Sequence, residues 1–196
     1  MINRNKSEIA LCEGITEYLY LNSLRDILAI KPTPKIVKPY NMDELRRAIE
    51  RYAVAGATKI HCLIDMDNKV STPATMKKYQ QLKQKYHQKV VRKTDCEVCF
   101  YESFPSIERF FSYYFEYSTA EKGNDELKNW LKVKCGYETH ENSLKWPSLH
   151  GRFVNHGGCL SNAIKNAKKS AKVRATNDYN CSYTEVGDLI EYLGVK

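Results

Sequence analysis

Residues 7–19 read SEIALCEGITEYL, and this stretch decides the class of fold. Its apolar run ends at Glu13 and Gly14, and apolar residues then recur at helical spacing from Thr16 onward. The change to a period of 3.6 residues predicts a buried strand followed directly by a helix. The same succession repeats up to residue 118 and is typical of α/β proteins, whose strands pair in parallel.

The repeated pattern predicts an α/β half followed by a helical half. Strands are expected at 7–12, 35–38, 59–64 and 97–101, and helices at 16–30, 43–55, 72–86 and 105–117. Asn41 or Asp43 is expected to cap the second helix, and Gly56 to end it. No strand pattern follows residue 118, and further helices are expected at 125–134, 160–171 and 184–193. We therefore predict a compact parallel sheet flanked by helices over 1–118, with a helical C-terminal part over 119–196 packed on the same domain.

Composition excludes several classes of protein. The longest apolar runs fall far short of the roughly 20 residues that span a bilayer, and the run at 9–12 is too short for a signal-peptide core. Six prolines and nine glycines in 196 residues argue against a disordered or fibrous chain. Seven cysteines, an odd number, favour a reduced, cytoplasmic protein over a secreted disulfide scaffold.

The formal net charge of +8 is unevenly distributed along the chain. Segments 69–93 and 142–177 contain eight and seven Lys or Arg residues and no acid, whereas 94–141 holds ten acids and five bases. Two basic segments that flank an acidic one predict a surface that follows a phosphate backbone, although two solvated helix faces would produce the same pattern. The predicted nucleic-acid contacts are Lys77, Lys78, Lys145, Arg152, Lys165 and Lys169. The candidates for stacking on unpaired bases, or alternatively for core packing, are Trp146, Tyr179 and Tyr183.

Carboxylates follow two of the predicted strands. Glu13 follows the first strand, Asp65 follows the third, and Asp67 lies two residues beyond Asp65. Because ligands of parallel sheets bind outside the carboxyl ends of the strands, we expect these acids at one rim, with Glu17 pointing back toward it from one helical turn further on. Hard oxygen ligands in such a cluster suit Mg²⁺ or Mn²⁺. The alternative is that residues 65–68 form only an Asx turn that closes a strand.

A second metal site is a weaker hypothesis. Cys96 and Cys99 have the two-residue spacer of a zinc half-site, and His150, His156 and Cys159 are candidate partners. The alternation of Val and Phe around the two cysteines is that of a strand, which favours buried or incidental thiols instead.

Several motifs resemble those of RloB-like proteins, which follow their first strand with CEGxTExxY. Residues 11–21 read LCEGITEYLYL, and residues 63–67, LIDMD, are similar to the second acidic motif of that family. Residues 103–111, SFPSIERFF, resemble its NPxFExW segment, with Pro105 and Glu108 matching and the asparagine and tryptophan replaced. Residues 162–168 and 183–189 are similar to the closing helices of the family.

The resemblance implies a Toprim fold related to the nuclease domains of OLD-type proteins, which occur in bacterial abortive-infection and phage-defence loci. It also implies that Glu13, Asp65 and Asp67 bind one or two Mg²⁺ ions for phosphodiester chemistry. Glu17 matches the second acid of the OLD-type motif, and Glu108 is a candidate further ligand. OLD-type sites also use a downstream lysine, for which the alternatives are Lys122, Lys145 and Lys165.

The acidic rim and the basic segments together predict a metal-dependent endonuclease of RNA, tRNA included, or DNA, acting in antiphage defence or abortive infection. The cofactor would be Mg²⁺ or Mn²⁺, and no membrane partner is expected. The alternative is a non-catalytic nucleic-acid-binding or regulatory protein, a partner of a defence ATPase encoded nearby.

Overall fold

The computed structural model describes residues 7–38, 40–120, 122–138, 148–177 and 181–194. Strands and helices alternate through the first part of the chain, as the hydrophobic periodicity predicts. The described strands are β1 (Ser7–Cys12), β2 (Thr33–Ile36), β3 (Ala57–Asp65), β4 (Lys89–Val90), β5 (Glu97–Phe104) and β6 (Tyr183–Thr184). The described helices are α1 (Ile15–Leu28), α2 (Met42–Val54), α3 (Asp67–Val70), α4 (Pro73–Tyr86), α5 (Glu108–Ser112), α6 (Asn124–Cys135), α7 (Leu149–Asn155), α8 (Leu160–Asn177) and α9 (Val186–Tyr192).

One mixed sheet organises these elements, in the order β2-β1-β3-β5-β4, with β6 also paired to β5. The four longest strands, β1, β2, β3 and β5, run parallel to one another, while β4 and β6 run antiparallel to β5. The chain leaves β1 for β2 on one side and returns to β3 on the other. Such a reversal of strand order opens a crevice at the carboxyl ends of β1 and β3, where ligands of open α/β sheets bind.

Alternation along the strands divides the core into two layers. Ile9 and Leu11 of β1 face the layer that contains α2 and α4, whereas Ala10 and Cys12 face the layer that contains α1 and α5 to α9. Successive side chains of a strand point to opposite faces, so a strand buried on both faces reads as a continuous apolar run. The prediction of an α/β fold with a mostly parallel sheet flanked by helices is confirmed.

Local signals account for the ends of α2. Asn41 caps the helix, because its side chain accepts a hydrogen bond from the Glu44 backbone N–H at 2.9 Å. Gly56 follows the helix at a φ of +95°, a conformation that a residue with a Cβ adopts only with strain. Both features agree with the sequence prediction.

The structure departs from the predicted elements in the later part of the chain. Thr184 of β6 pairs with Ser103 of β5, although the sequence predicts that a helix starts at residue 184. The helix expected at 105–117 comprises only the five residues of α5. After it, the backbone N–H groups of Tyr113 and Tyr114 donate to carbonyl oxygens three residues earlier, which is the pattern of a 3₁₀ turn and not of an α-helix. The short helix α7 has no counterpart among the predicted elements.

Helices of the C-terminal part pack into the same core layer as α1 and α5. This layer includes Leu21 and Phe110 together with Leu131, Phe153 and Leu189. The division of the chain at residue 118 stays a prediction. None of the described helices combines the length and the apolar composition that crossing a membrane requires.

Candidate active site

Five acids line one cleft at the carboxyl ends of β1 and β3. The cleft has a volume of about 190 Å³, and its acids are Glu13, Glu17, Asp65, Asp67 and Glu108. Glu13 and Asp65 are neighbours across the two strands, since the backbone N–H of Asp65 donates to Oε2 of Glu13 at 3.3 Å. The structure therefore brings together all five acids that the sequence analysis singled out.

The loop after β5 fixes the position of the acids that follow β3. The backbone N–H of Met66 donates to the carbonyl oxygens of Ser103 at 2.9 Å and Pro105 at 3.1 Å, and that of Asp67 donates to Pro105 at 3.0 Å. In return, the Ile107 backbone N–H donates to Oδ1 of Asp65 at 2.9 Å. These hydrogen bonds connect residues 65–67 to the loop around Pro105 and to the residue before α5.

Glu17 and Glu108 form the buried wall of the cleft, with exposed fractions of 3% and 4%. Glu17 accepts a hydrogen bond from the Gly14 backbone N–H at 3.2 Å, which closes the first turn of α1. Glu108 accepts hydrogen bonds from Ser106 Oγ at 2.7 Å and from the Tyr137 hydroxyl at 2.8 Å. Both acids therefore accept hydrogen bonds from neighbouring groups.

Asp67 lies at the mouth of the cleft as the first residue of α3. Its Oδ1 accepts a hydrogen bond from the Asn68 backbone N–H at 2.6 Å. Its Oδ2 accepts a hydrogen bond from the side-chain amide of Asn124 in α6. Asp67 is therefore held by Asn68 and Asn124, while the Asp65 residue lines the cleft.

Lys69 forms an ion pair with one of these acids, and the sequence predicted only that it belongs to the basic segment 69–93. Its ammonium donates to Oε2 of Glu13 at 2.9 Å and to the carbonyl oxygen of Asp65. The side chain is almost fully buried and its Nζ lies 5.0 Å from the centre of the Tyr40 ring. The one signal in the sequence was its spacing, four residues after Asp65, which returns a side chain to the same rim once α3 forms.

Two of the three lysines proposed from the resemblance do not line the acidic cleft. Lys122 faces the Trp130 ring at 5.9 Å and lies 4.0 Å from Glu126, and Lys165 is exposed on α8. Lys145 lies outside the described residues. Lys128 of α6 lines the acidic cleft, a position that the periodicity of the sequence does not reveal.

Burial raises the pKa values of three acids, and mutual repulsion adds to the shift in two of them. Burial, followed by the charges of Glu108 and Glu13, raises the pKa of Glu17 to about 7. The same two causes, with Glu17 as the largest charge, hold the pKa of Asp65 well above its ordinary value. Burial raises the pKa of Glu13 as well, although Lys69 opposes that shift. The cleft therefore carries more negative charge than its protein neighbours compensate.

The donor set of the cleft fits a hard divalent cation. All five acids offer carboxylate oxygens, the ligands that Mg²⁺ and Mn²⁺ prefer, and a cation would relieve the repulsion that raises the pKa values. Within the described ranges, no three His, Cys, Asp or Glu side chains form a group already spaced to hold a metal ion. Mg²⁺ does not need such a group, because one or two carboxylates, waters and substrate phosphates commonly complete its shell.

The basic segments lie mainly on two helices. Lys77 and Lys78 are exposed on α4, and Lys165 and Lys169 are exposed on one stripe of α8, with Lys169 Nζ 3.9 Å from the centre of the Tyr117 ring. Arg152 instead serves the fold: its guanidinium donates to the carbonyl oxygens of Cys135 and Gly136, both at 2.7 Å, and so closes the end of α6.

The three aromatic candidates for base stacking do not line a described surface. Tyr183 is fully buried, and its hydroxyl donates to Oε2 of Glu102 at 2.6 Å. Trp146 and Tyr179 lie outside the described residues. Packing, the alternative for these aromatics, accounts for Tyr183.

The residues of the hypothetical zinc site are occupied in other ways. Cys96 and Cys99 are buried free thiols at the start of β5, and Cys159 is exposed. His150 packs in the other core region, with its Nδ1 2.8 Å from the Tyr114 hydroxyl. These placements favour incidental thiols.

Comparison with known proteins yields one match. No curated protein and no solved structure matches the chain. The model of the RloB-like protein family matches residues 9–193, a range that includes every described acid of the cleft. The chain therefore belongs to the RloB-like family.

Proposed function

We propose that this protein is a Mg²⁺- or Mn²⁺-dependent nuclease that hydrolyses phosphodiester bonds of RNA or DNA. The observation that carries the proposal is the single cleft with five acids at the crevice between β1 and β3. Membership of the RloB-like family supports a role in antiphage defence or abortive infection, and a defence ATPase is a candidate partner.

Each residue of the cleft has a distinct part in the proposal. Glu13, Asp65 and Asp67 would hold the cation, because these three residues line the cleft and are partly exposed, whereas Glu17 and Glu108 are buried. A bound divalent ion supplies Lewis acidity at the phosphate and lowers the pKa of a bound water. Glu17 and Glu108 are buried behind these acids, and a bound cation would favour the ionised form of Glu17.

Two lysines complete the site on opposite sides. Lys69 holds the Glu13 carboxylate in place through its ion pair and stands as a positive charge next to the reacting phosphate. Lys128 of α6 lines the cleft from the other side. The exposed lysines of α4 and α8 would hold the flanking backbone by phosphate contacts that carry no sequence information.

Fragment release from labelled tRNA, single-stranded DNA and plasmid in the presence of Mg²⁺ or Mn²⁺ tests the proposal. Asp65→Ala and Glu13→Ala should lower the rate by about 1,000-fold, since loss of a metal ligand removes several kcal/mol of transition-state stabilisation. Asp26→Ala is the matched control, because Asp26 is exposed on α1 away from the cleft. Full activity in both cleft variants would remove the site assignment.

One observation favours a second candidate, a non-catalytic nucleic-acid-binding or regulatory protein. The ammonium of Lys69 already neutralises part of Glu13, so a protein cation stands where the proposed function requires a metal. This candidate requires salt-sensitive binding of nucleic acid whose affinity is indifferent to metal and to Asp67→Ala. Metal-dependent cleavage by the wild type decides against it.

A further inference from the structure

A second cleft adjoins the acidic cleft on the other side of Glu13. It has a volume of about 350 Å³ and shares Glu13 and Asn68 with the acidic cleft. Its remaining walls come from the start of α2 and the first turns of α4, including Tyr40, Asp43 and Lys78. The volume lies at the lower end of the range for small-molecule sites and matches a ligand of about one nucleotide.

We propose that this second cleft binds a single unpaired guanine nucleotide of the nucleic-acid substrate. The inference rests on the proposed nuclease function and specifies its substrate. Because the two clefts share a wall, a nucleotide held here places its neighbouring phosphodiester at the five acids. A cleft of this size admits one nucleotide outside a duplex, so the base is presented in a single strand or is turned out of a stack.

The start of α2 provides the groups that would recognise the base. Asp43 is exposed in the first turn of the helix and forms no ion pair within the part of the chain that the structure describes. Guanine is the one base whose Watson–Crick edge presents two adjacent N–H donors, so a single carboxylate can accept both. In adenine and cytosine, a ring nitrogen acceptor lies beside the amino group and would repel the carboxylate.

Two further residues at this wall suit the same base. Asn41 uses its Oδ1 to cap α2, which leaves its side-chain amide to donate to the O6 acceptor of guanine. Tyr40 and Met42 supply an aromatic ring and an apolar side chain in the same cleft. Bases stack on aromatic side chains in the recognition of single strands.

Lys78 provides the charge for the phosphate. It is exposed on α4, lines the cleft and is in none of the ion pairs between described residues. Lys69 also lines the cleft, but its ammonium is bound to Glu13 and to the Asp65 carbonyl oxygen. A phosphate in this cleft therefore interacts with Lys78, while Lys69 stays with the acids.

The inference can be tested without cleavage or metal. The four ribonucleoside 5′-monophosphates are titrated into the full chain in EDTA, and their binding is measured by NMR. Guanosine monophosphate should bind about tenfold more tightly than the other three, the value of one good bidentate base contact. Asp43→Asn should abolish this preference. Lys78→Ala should weaken the binding of guanosine monophosphate about tenfold and leave the binding of guanosine unchanged, as expected for the loss of a charge-assisted hydrogen bond to the phosphate.

Exposed residues outside the cleft provide matched controls. Lys132 is exposed on α6 and does not line the cleft, and Asp26 is an exposed acid on α1, so Lys132→Ala and Asp26→Asn should bind as the wild type does. The inference is overturned if no nucleotide binds, if all four bind alike, or if Asp43→Asn and Lys78→Ala bind like their controls. A protein that binds guanosine monophosphate but cleaves no substrate would refute the nuclease proposal and leave the nucleotide site standing.

Discussion

Two groups of buried acids lie at neighbouring strand ends, and the protein treats their charges in opposite ways. The first group surrounds Glu102, which lies near the end of β5 and is 1% exposed. Its carboxylate accepts hydrogen bonds from the hydroxyls of Tyr79 and Tyr183, both at 2.6 Å, and pairs with Lys83 and with Arg174 at 3.4 Å. Although burial acts to raise it, these partners lower the pKa of Glu102.

The second group is the acidic cleft, where compensation is incomplete. Five acids line it, and the cations found there are Lys128 and, through Glu13, Lys69. Around Glu102 the balance is two acids to two bases, even though burial and the Glu102 charge raise the pKa of the neighbouring Glu185. A buried carboxylate with its partners stabilises a fold, whereas a cluster without them needs a cation from outside.

The Glu102 group also explains how the two basic segments meet. Lys83 belongs to α4 and Arg174 to α8, and both pair with the same carboxylate. Two segments that are 48 residues or more apart in sequence are thereby joined at one point beside β5. Part of the positive charge of the basic segments is therefore structural, and exposed lysines such as Lys77 and Lys165 are available to a phosphate backbone.

Substituting one acid in each group should change the free energy of unfolding by very different amounts. Glu102→Ala should lower the free energy of unfolding by about 3 kcal/mol, the lower end for a broken buried pair, because Lys83 and Arg174 can still reach water. Glu17→Gln should cost nothing in the metal-free protein, since it removes a charge that burial and repulsion disfavour. Guanidinium unfolding in EDTA measures both, with the exposed Glu116→Ala as control. Equal losses in the two variants would contradict the distinction.

Addition of Mn²⁺ sharpens the same contrast. At a concentration 100 times its dissociation constant, the ion should stabilise the wild type and Glu102→Gln by about 2.7 kcal/mol. Asp65→Asn and Glu13→Gln should lose most of this gain, because each removes an anionic ligand from the cleft. Thermal unfolding with and without the ion is the measurement. An undiminished gain in Asp65→Asn would place the binding elsewhere.

The pH dependence of stability should have opposite signs for the two groups, with a smaller amplitude. The pKa of Glu17 is raised to about 7, so its contribution is fully present below its unfolded value near 4.5 and is lost as the pH rises toward 7. The pKa of Glu102 is lowered, so its contribution is lost only as the pH falls below 4.5.

Unfolding in EDTA between pH 4.5 and pH 8 should therefore show a loss on the order of 2 kcal/mol, which Glu17→Gln reduces. Asp65 and Glu13 contribute with the same sign, since their pKa values are also raised. A stability that rises over this interval, or a slope that Glu17→Gln leaves unchanged, would contradict the account of the cleft.

Hydrophobic periodicity predicted the sheet and its main helices, because buried parallel strands read as apolar runs and helices repeat every 3.6 residues. It missed β6, since two residues are too few to show alternation. It also predicted a helix longer than α5, because the carbonyl oxygen of Pro105 accepts hydrogen bonds from Met66 and Asp67 instead of from a helical turn.

The acids of the cleft were predictable for a similar reason. Glu13 and Asp65 end strands, and the carboxyl ends of parallel strands share an edge. Lys69, Asn124 and Lys128 were not, because their positions depend on the turn of α3 and on the packing of α6 against α5. The same holds for the second cleft, which α2 and α4 form together.

Whether the five-acid cleft holds a divalent cation can be decided in a crystal of the wild-type protein soaked in Mn²⁺. We expect an anomalous density peak between Glu13 and the pair Asp65 and Asp67, and no such peak in a crystal of Asp65→Asn. A well-diffracting crystal without a peak in the cleft, or with the same peak in the variant, would rule out the proposed metal site.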